Sequence, residues 1–266
     1  MTAAPPDPDL GLRFDVTAED YHRLRPRYPA HVMDTLVAEA GLEPGNRVLE
    51  IGAGTGIATL ALAERDLAVT AIEPGPEMAA IARRNLSTHP GVSVVESTFE
   101  QWSPPAETPP FDGIVSATAF HWLDRATRLD RCAALLRPGG ALAVLQYQHA
   151  AGGDDTFFAR AQDCYLRWMP GTSPDETLPA WDEPPDTTEF DDHPAFQRAA
   201  VHQWQEIIPS TRQDYLALLG TYSGHIALDP DRRAGLMTCL GDLIDRDYGG
   251  QVAKAYRFEI ILARRR

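Results

Sequence analysis

Two patterns of apolar residues alternate along the first half of the chain: continuous apolar runs, and apolar residues spaced three and four apart. Apolar runs without a polar face are typical of strands buried on both sides, and they occur at residues 46–51, 67–72, 92–96, 111–118 and 141–148. Between them, apolar residues spaced three and four apart predict helices at 55–66, 76–86 and 125–136. Because helices alternate with strands, the pattern predicts an α/β protein with a doubly wound, mostly parallel sheet and helices on both faces.

The regular pattern stops at residues 150–155. Residues 154–196 are rich in Pro, Asp and aromatic residues, which favours one helix followed by a long irregular segment of the kind that often covers a functional site. A short helix at 17–25 and a longer one at 30–41 precede the first strand. The pattern resumes after the irregular segment with a strand, two helices and a last strand at residues 197–208, 210–227, 229–248 and 256–264.

Composition and charge narrow the function. The sequence is 44% hydrophobic and 23% charged, as is typical of a soluble globular protein. Its net charge of -14 argues against a nucleic-acid partner, because phosphate binding depends on clustered Lys and Arg. The amino terminus does not resemble a signal peptide, and no apolar run is long enough to span a bilayer. We therefore expect a cytoplasmic protein that does not bind membranes.

The three cysteines are Cys132, Cys164 and Cys239. They are far apart and form no CxxC pair, so the sequence predicts neither a disulfide framework nor a zinc site, and it favours a reducing compartment. The acidic residues between Asp182 and Asp192 fit no calcium-binding loop, and no metal is expected.

The stretch VLEIGAGTGIATLAL, residues 48–62, places three glycines between a predicted strand and a predicted helix. A glycine after a strand lets the backbone turn sharply and lets a ligand approach without a Cβ in the way. The helix that follows offers free N–H groups and a positive dipole end. Gly52, Gly54 and Gly56 therefore predict a nucleotide-like ligand, although a plain tight turn would also explain them.

The second predicted strand ends in an acidic residue, Glu73, about twenty residues after the first glycine. A carboxylate at this position accepts hydrogen bonds from the ribose hydroxyls of a nucleotide-like ligand, and the alternative is a solvated charge at a strand end. Ile57 stands where the dinucleotide-binding fingerprint requires its third glycine, which disfavours a nicotinamide cofactor.

Four ordered motifs extend this interpretation: VLEIGAGTG, AIEPGPEM, FDGIVSATAFHWLD and LLRPGGALAV. In this order and spacing they resemble the class I S-adenosylmethionine-dependent methyltransferases, in particular small-molecule enzymes similar to trans-aconitate methyltransferase. YHRLRPRYP before the motifs and LLGTYSGHIAL after them resemble the same subgroup. The resemblance implies a seven-stranded sheet whose last strand is antiparallel, with a cap of helices and loops over the acceptor.

The resemblance also divides the chain into four parts. Residues 1–40 would form a tail and the helices that cover the cofactor, and residues 41–149 would form the Rossmann-like core that binds it. Residues 150–197 would be the cap insertion. Residues 198–266 would complete the sheet and carry helices on the substrate side.

The residues at matching positions have expected roles in binding S-adenosylmethionine. The three glycines would face its methionine and ribose parts, Glu50 its ammonium group and Glu73 its ribose. The helix before the core would close over the cofactor, with Arg25 near its carboxylate. The segment beside adenine would contribute Thr98, Phe99 and Glu100, and the end of the fourth strand would contribute Ser116 and Ala117. The closing helix would contribute Tyr21 and Arg25.

The AFHWLD segment carries the candidate chemistry on the acceptor side. Phe120 and Trp122 would flank the sulfonium or the acceptor, because ring faces attract cations. His121 is a candidate catalytic base, since its pKa lies close to neutrality, but a histidine at such a junction often only packs or caps. Tyr222 would either reach the substrate pocket from the cap or belong to the core.

The sequence therefore predicts an enzyme that transfers a methyl group from S-adenosylmethionine to a small molecule, at an oxygen atom of a carboxylate or hydroxyl. Two alternatives stay open: a nicotinamide-dependent oxidoreductase, and a methyltransferase-like binding module without transfer activity. The expected partner is the small-molecule methyl acceptor, and the expected state is a monomer or homodimer.

Overall fold

A seven-stranded sheet organises the part of the chain that the computed structural model describes, residues 18–174 and 177–266. The strands are β1 (Arg47–Ile51), β2 (Ala68–Glu73), β3 (Val92–Glu96), β4 (Phe111–Ala117), β5 (Leu136–Gly153), β6 (Ala200–Thr211) and β7 (Gln251–Arg264). Their order across the sheet is β3-β2-β1-β4-β5-β7-β6. The first five strands pair in parallel, and β7 runs antiparallel to both β5 and β6. The predicted fold class and its antiparallel last strand are confirmed.

The helices lie between and beside the strands. They are α1 (Ala18–Leu24), α2 (Ala30–Ala40), α3 (Ile57–Ala63), α4 (Pro76–Asn85), α5 (Arg128–Leu135), α6 (Asp155–Trp168), α7 (Thr188–Asp191), α8 (Arg212–Leu219), α9 (Ser223–Ile226) and α10 (Pro230–Asp247), with a 3-10 turn at Phe120–Trp122. The tail predicted before α1 lies outside the described residues. Within residues 18–174 and 177–266, no helix combines the length and the apolar character needed to cross a bilayer.

The order of the strands reverses beside β1, and this reversal places the candidate site. β2 pairs with one edge of β1 and β4 with the other. Because the connections leave neighbouring strands in opposite directions there, a crevice opens at the carboxyl ends of the strands. The glycine loop, residues 52–56, and Glu73 both lie at this edge.

The two faces of the sheet bury separate hydrophobic cores. On one face, Tyr256 and Phe258 of β7 pack with Val32 and Met33 of α2. On the other face, Ile261 of the same strand belongs to the core that also contains residues of α5. Alternate residues of a strand point to opposite faces, so β7 contributes to both cores.

A third core lies where α6 packs against α8 and α10. Its buried residues include Phe157, Tyr215, Leu240 and Ile244. α6 is the helix predicted after the regular pattern stops. Among the described residues between α6 and β6, only the short α7 is helical, which agrees with the irregular segment predicted there.

The helix predicted at residues 210–227 is two helices, α8 and α9, so that prediction is wrong. Between them the Thr221 hydroxyl donates to the carbonyl oxygen of Leu218 at 2.7 Å. Tyr222 precedes α9 with an extended backbone, at φ -88° and ψ 135°. A side-chain hydrogen bond to the backbone competes with a further helical turn, and here it accompanies the break.

A disulfide joins Cys164 of α6 to Cys239 of α10, with their Cα atoms 5.8 Å apart. The expectation that the cysteines form no disulfide is therefore wrong, and so is the argument for a reducing compartment that rested on it. The two residues are 75 positions apart in the sequence, and the packing of α6 against α10 brings them together. Cys132 is free and buried.

We expect the Cys164–Cys239 disulfide to stabilise the fold, because it restricts a long loop of the unfolded chain. The chain-entropy treatment gives about 4 kcal/mol for a loop of this length. Urea unfolding should show a lower midpoint for the wild type when a phosphine reductant is present. The Cys164→Ser/Cys239→Ser variant should not respond to the reductant, whereas Cys132→Ser should respond as the wild type does. A wild-type midpoint that ignores the reductant would contradict this role.

Candidate functional site

The glycine loop connects β1 to α3 where the order of the strands reverses. The backbone N–H groups of Gly52 and Ala53 both donate to the carbonyl oxygen of Ile72, at 2.9 and 3.0 Å, so the loop is tied to β2. Gly52 and Gly54 have φ angles of +72° and +57°, which glycine adopts at little cost. The backbone can therefore turn sharply from the strand into the helix.

The three glycines make room for three different neighbours. A Cβ on Gly52 would overlap the Cβ of Ala119, whereas a Cβ on Gly54 would lie 4.0 Å from the ring of Tyr21. Gly56 faces α4 instead, where a Cβ would come 3.0 Å from a leucine side chain. Gly52 and Gly54 therefore border the candidate site, and Gly56 serves the packing of α3 on α4.

A small cavity lies between α1 and the glycine loop. Its volume is about 30 Å³, which admits water but is about tenfold smaller than the pockets that hold ligands of nucleotide size. Tyr28 and Tyr147, which the sequence analysis did not single out, also line it. The structure brings six of the predicted site residues together around this cavity: Tyr21, Arg25, Glu50, Gly52, Gly54 and Ala117.

Glu50 is the buried acidic group of the cavity. Its exposure is 0%, and neither carboxyl oxygen forms a hydrogen bond of normal geometry with the described residues. Burial raises the pKa of Glu50 to about 8, although the hydroxyl of Thr59 opposes the shift. A buried carboxyl without a firm partner is costly, and a ligand that carries a positive group would satisfy it.

Glu73 lies behind the glycine loop. One carboxylate oxygen accepts from the backbone N–H of Gly54 at 2.7 Å and the other from the backbone N–H of Gly75 at 2.8 Å. Glu73 is 8% exposed and does not line the cavity. Its carboxylate therefore fixes the shape of the loop, a function that the sequence analysis did not foresee.

Helix α1 closes the cavity from above. His22 Nδ1 lies 2.9 Å from Thr55 Oγ1, and the Asn85 side chain donates to the Thr55 carbonyl oxygen at 3.1 Å. The ring of Tyr21 covers the loop beside Gly54. A ligand of nucleotide size therefore needs α1 to move away before it can enter.

Arg25 fastens the end of α1 to the opposite side of the site. Its guanidinium donates to the Thr221 carbonyl oxygen at 2.7 Å, to Thr221 Oγ1 at 3.1 Å and to the Tyr147 hydroxyl at 3.3 Å. The guanidinium also lies 4.7 Å from the ring centre of Tyr21 and 4.5 Å from that of Tyr222. Arg25 thus joins α1 to the connection between α8 and α9.

Several predicted cofactor residues do not line this cavity. Ser116 is buried in the sheet, where its hydroxyl donates to the Ile51 carbonyl oxygen at 3.1 Å. Phe99 is buried with the Arg131 guanidinium 5.0 Å from its ring centre. Its neighbours Thr98 and Glu100 accept hydrogen bonds from backbone N–H groups. The donor to Thr98 lies in the connection between β3 and β4, and the donor to Glu100 lies in the chain that follows β4.

The AFHWLD residues divide between core and surface. Phe120 is buried in the core, stacked on Phe190 with their ring centres 5.7 Å apart. His121 is exposed at the 3-10 turn, with its ring centre 4.8 Å from that of Trp122, although surrounding atoms and the charge of Arg128 lower its pKa. Neither Phe120 nor His121 lines the cavity.

Thr118 turns the chain toward the site directly after β4. Its φ of +55° is a conformation that a β-branched residue adopts only at a cost. The Thr118 N–H donates to the Leu145 carbonyl oxygen at 2.7 Å, and its hydroxyl lies 2.7 Å from the hydroxyl of Tyr28. No sequence pattern marks this position, because the strain depends on what surrounds it.

A group of aromatic and basic side chains lies beyond the cavity, at the carboxyl end of β5. His149 Nε2 is 3.0 Å from the Tyr222 hydroxyl, and the rings of Tyr147 and Tyr256 are 5.8 Å apart. Burial and the charges of Lys254 and Arg25 lower the pKa of His149 to about 3. We call this group the edge cluster; its members are Tyr147, His149, Tyr165, Tyr222, His225, Lys254 and Tyr256.

Comparison with known proteins supports a family for this site. A family model described as a methyltransferase domain matches residues 48–140, the span that contains the glycine loop and Glu73. An uncharacterized methyltransferase of Mycobacterium tuberculosis is 37% identical over 137 residues, 52% of this chain and 53% of the relative. A trans-aconitate 2-methyltransferase of the same species is 33% identical over 141 residues, 52% of this chain and 47% of the relative. The chain thus matches about half the length of these relatives.

Solved structures share the fold. A proposed type II methyltransferase from Anaeromyxobacter dehalogenans superposes with a TM-score of 0.60 at 24% identity, covering 91% of this chain and 97% of that one. The (4+2)-cyclase SpnF superposes with a TM-score of 0.56 at 15% identity, covering 98% and 97%. At these identities, the likeness concerns the fold alone.

The sheet order, the reversal beside β1 and the glycine loop define a doubly wound α/β domain with a crevice at the carboxyl ends of its strands. Within this class, residues 48–140 match the model of a methyltransferase domain, and the resemblance to the class I S-adenosylmethionine-dependent methyltransferases is confirmed.

Glu50 should make stability fall as the pH rises. Its pKa is about 8 in the folded protein and 4.5 when unperturbed, so the folded state holds a proton that the unfolded state releases between these values. Relative to Glu50→Gln, the wild type should lose stability from pH 4.5 to 8. The upper limit is about 5 kcal/mol, at about 1.4 kcal/mol per pKa unit.

Urea unfolding of both proteins over this pH range measures the effect of Glu50. Groups other than Glu50 titrate in both proteins and cancel in the difference between their free energies of unfolding. A difference that does not change with pH would mean that Glu50 is not buried in its protonated form.

Proposed function

We propose that the chain transfers a methyl group from S-adenosylmethionine to a small molecule, at an oxygen atom of a carboxylate or hydroxyl. The observation that carries the proposal is Glu50, a buried carboxyl without a firm partner beside Gly52 and Gly54 in a methyltransferase domain. A cavity that offers one unpartnered acid suits a ligand with a cationic group. The methionine part of S-adenosylmethionine has an ammonium group of this kind.

The residues around the cavity fit the cofactor chemically. Glu50 would ionise and accept hydrogen bonds from the ammonium group, and the ring of Tyr21 would cover the ligand on the side of α1. Each carboxylate oxygen of Glu73 has two lone pairs, and Glu73 would accept from the ribose hydroxyls beside the N–H groups of Gly54 and Gly75. When bound, S-adenosylmethionine supplies an electrophilic methyl group on a cationic sulfur.

The chain itself contributes alignment and the exclusion of water. Methyl transfer is an in-line displacement, so the acceptor must be held on the far side of the methyl carbon from the sulfur. The hydrogen bonds of Arg25 to Thr221 and Tyr147 hold α1 against the edge cluster, which closes the site from solvent. An acceptor bound at the edge cluster would then meet the cofactor in a dry site.

The acceptor class follows from two considerations. One relative with 33% identity is a trans-aconitate 2-methyltransferase, whose name gives a carboxylic acid as its substrate. The edge cluster offers hydroxyl and cationic groups, which suit a carboxylate better than an apolar acceptor. Nothing in the site favours a nicotinamide cofactor, and Ile57 occupies the position of the third glycine.

We expect the wild type to bind S-adenosylhomocysteine, which keeps the ammonium group, and not to bind NADH. Because Glu50 holds a proton at neutral pH, binding should release close to one proton, and the heat should vary with the ionisation enthalpy of the buffer. Isothermal titration calorimetry at about pH 7 in two buffers measures the affinity for S-adenosylhomocysteine and the number of protons released.

Glu50→Gln is the control for the proton release. It should bind S-adenosylhomocysteine more weakly and show no proton release, since the amide does not titrate. Binding of NADH without binding of S-adenosylhomocysteine would overturn the proposed function.

His121 stays a proposal as a general base. If it removes a proton from a hydroxyl acceptor, His121→Gln should reduce turnover about 100- to 10,000-fold at about pH 8, where the wild-type imidazole is neutral. A screen of metabolites with a labelled methyl donor supplies the acceptor, and His89→Gln is the matched control on a connection at the opposite edge of the sheet. Unchanged turnover in His121→Gln would exclude the base.

A further inference from the structure

The single lysine of the chain is buried at the edge cluster. Lys254 is one of 24 basic side chains in the sequence, and the other 23 are arginines. It lies on β7 opposite Gly153 of β5, and it is 7% exposed. A chain that otherwise uses arginine side chains for positive charge therefore has its one lysine side chain largely buried.

Lys254 has no polar partner within the described part of the chain. Its Nζ lies 5.0 Å from the ring centre of Phe158, and it forms no hydrogen bond or ion pair with residues 18–174 or 177–266. Burial alone lowers its pKa to about 7. Buried cations are normally paired, because removing an ammonium group from water costs far more than the face of one ring returns.

The neighbours of Lys254 are cationic or neutral. Burial, Lys254 and Arg25 lower the pKa of His149, and burial and Lys254 together lower the pKa of His225 to about 4. His225 Nε2 lies 3.2 Å from the Tyr165 hydroxyl. Among the described residues, no carboxylate forms an ion pair with Lys254, His149 or His225. The Asp154 carboxylate, next to Gly153, accepts from the backbone N–H of Ala253 at 2.7 Å. The edge cluster therefore offers a cation and hydroxyl groups without an internal anion.

We propose that Lys254 binds a carboxylate group of the methyl acceptor. The inference rests on the proposed function, because it assigns the anion to the acceptor of that reaction. One carboxylate neutralises one unpaired ammonium group, whereas a phosphate dianion would leave a buried charge in excess. Tyr256 lies two positions after Lys254 on β7, on the same face of the strand, and its hydroxyl would donate to the second oxygen of the carboxylate.

The chemistry of the side chain also suits lysine at this position. An ammonium group is compact and loses its proton when buried, so Lys254 can lose its charge when no anion is bound. An arginine would remain charged without an anion and would need partners for five N–H donors. The side chain of Lys254 thus suits a site that binds and releases an anion.

Selective labelling isolates Lys254, because the chain has one lysine. Protein made with 13C,15N-lysine and loaded with S-adenosylhomocysteine gives one lysine side-chain signal, whose pH titration is followed by NMR. Two matched pairs differ in charge alone: trans-aconitate against its trimethyl ester, and acetate against acetamide. Either carboxylate should raise the titration midpoint of Lys254 by at least about one pH unit, and the neutral partner should leave it unchanged.

Variants give an independent measurement. Lys254→Met should weaken the binding of trans-aconitate about 10- to 100-fold and change that of the trimethyl ester less than about twofold. The matched control is Arg198→Met, which removes one positive charge from a side chain that is 89% exposed. The control should bind trans-aconitate as the wild type does.

The outcomes separate this inference from the proposed function. If the wild type does not bind S-adenosylhomocysteine, the proposed function is wrong, and the lysine signal of the unloaded protein still tests for anion binding. If S-adenosylhomocysteine binds but neither carboxylate moves the lysine signal more than its neutral partner, the role of Lys254 is overturned. A response to inorganic phosphate without a response to either carboxylate overturns the carboxylate assignment. The NMR test uses wild-type protein, so its result stands even where Lys254→Met folds poorly.

Discussion

The carboxylate of Glu73 holds the site together. It accepts one hydrogen bond from the N–H of Gly54 and one from the N–H of Gly75, so the end of β2 is fastened to the loop that follows β1. Charge-assisted hydrogen bonds of this kind are about twice as strong as neutral ones. The loop in turn positions Gly54 under Tyr21 and places the buried Glu50 beside the cavity. Glu73 thus fixes the loop together with the Ile72 carbonyl oxygen, which accepts from the N–H groups of Gly52 and Ala53.

Helix α1 and Arg25, the residue that directly follows it, connect the two halves of the site. Tyr21 covers the glycine loop, and Arg25, about one helical turn later, is bound to Thr221 and Tyr147 beside the edge cluster. Movement of α1 away from the glycine loop therefore also breaks the contacts of Arg25 beside the edge cluster. In the proposed reaction, binding of the cofactor and binding of the acceptor would draw on the same helix, so each would influence the other.

The strands β1, β2, β4 and β5 were predictable because each one buries an apolar run. The residues of β3 are half-buried or exposed, and β3 still matches its prediction to the residue. The glycine loop was predictable because a sharp turn after a strand requires positive φ. The errors and omissions concern side chains that meet only in the folded chain. Glu73 turns onto the loop, Phe120 enters the core, and Cys164 meets Cys239 across two helices. Periodicity tells which residues are buried but not which partner each one finds.

The Cys164–Cys239 disulfide joins α6 to α10 and closes the chain between them into a covalent ring. This ring contains β6, α8 and α9. A protease that cuts the irregular segment before α7 would produce two fragments that stay attached to each other. The outermost strand of the sheet would then remain in place after the nick, and the fragments would separate only under reducing conditions. The disulfide thus keeps β6, α8 and α9 attached to the rest of the molecule after a break in this segment.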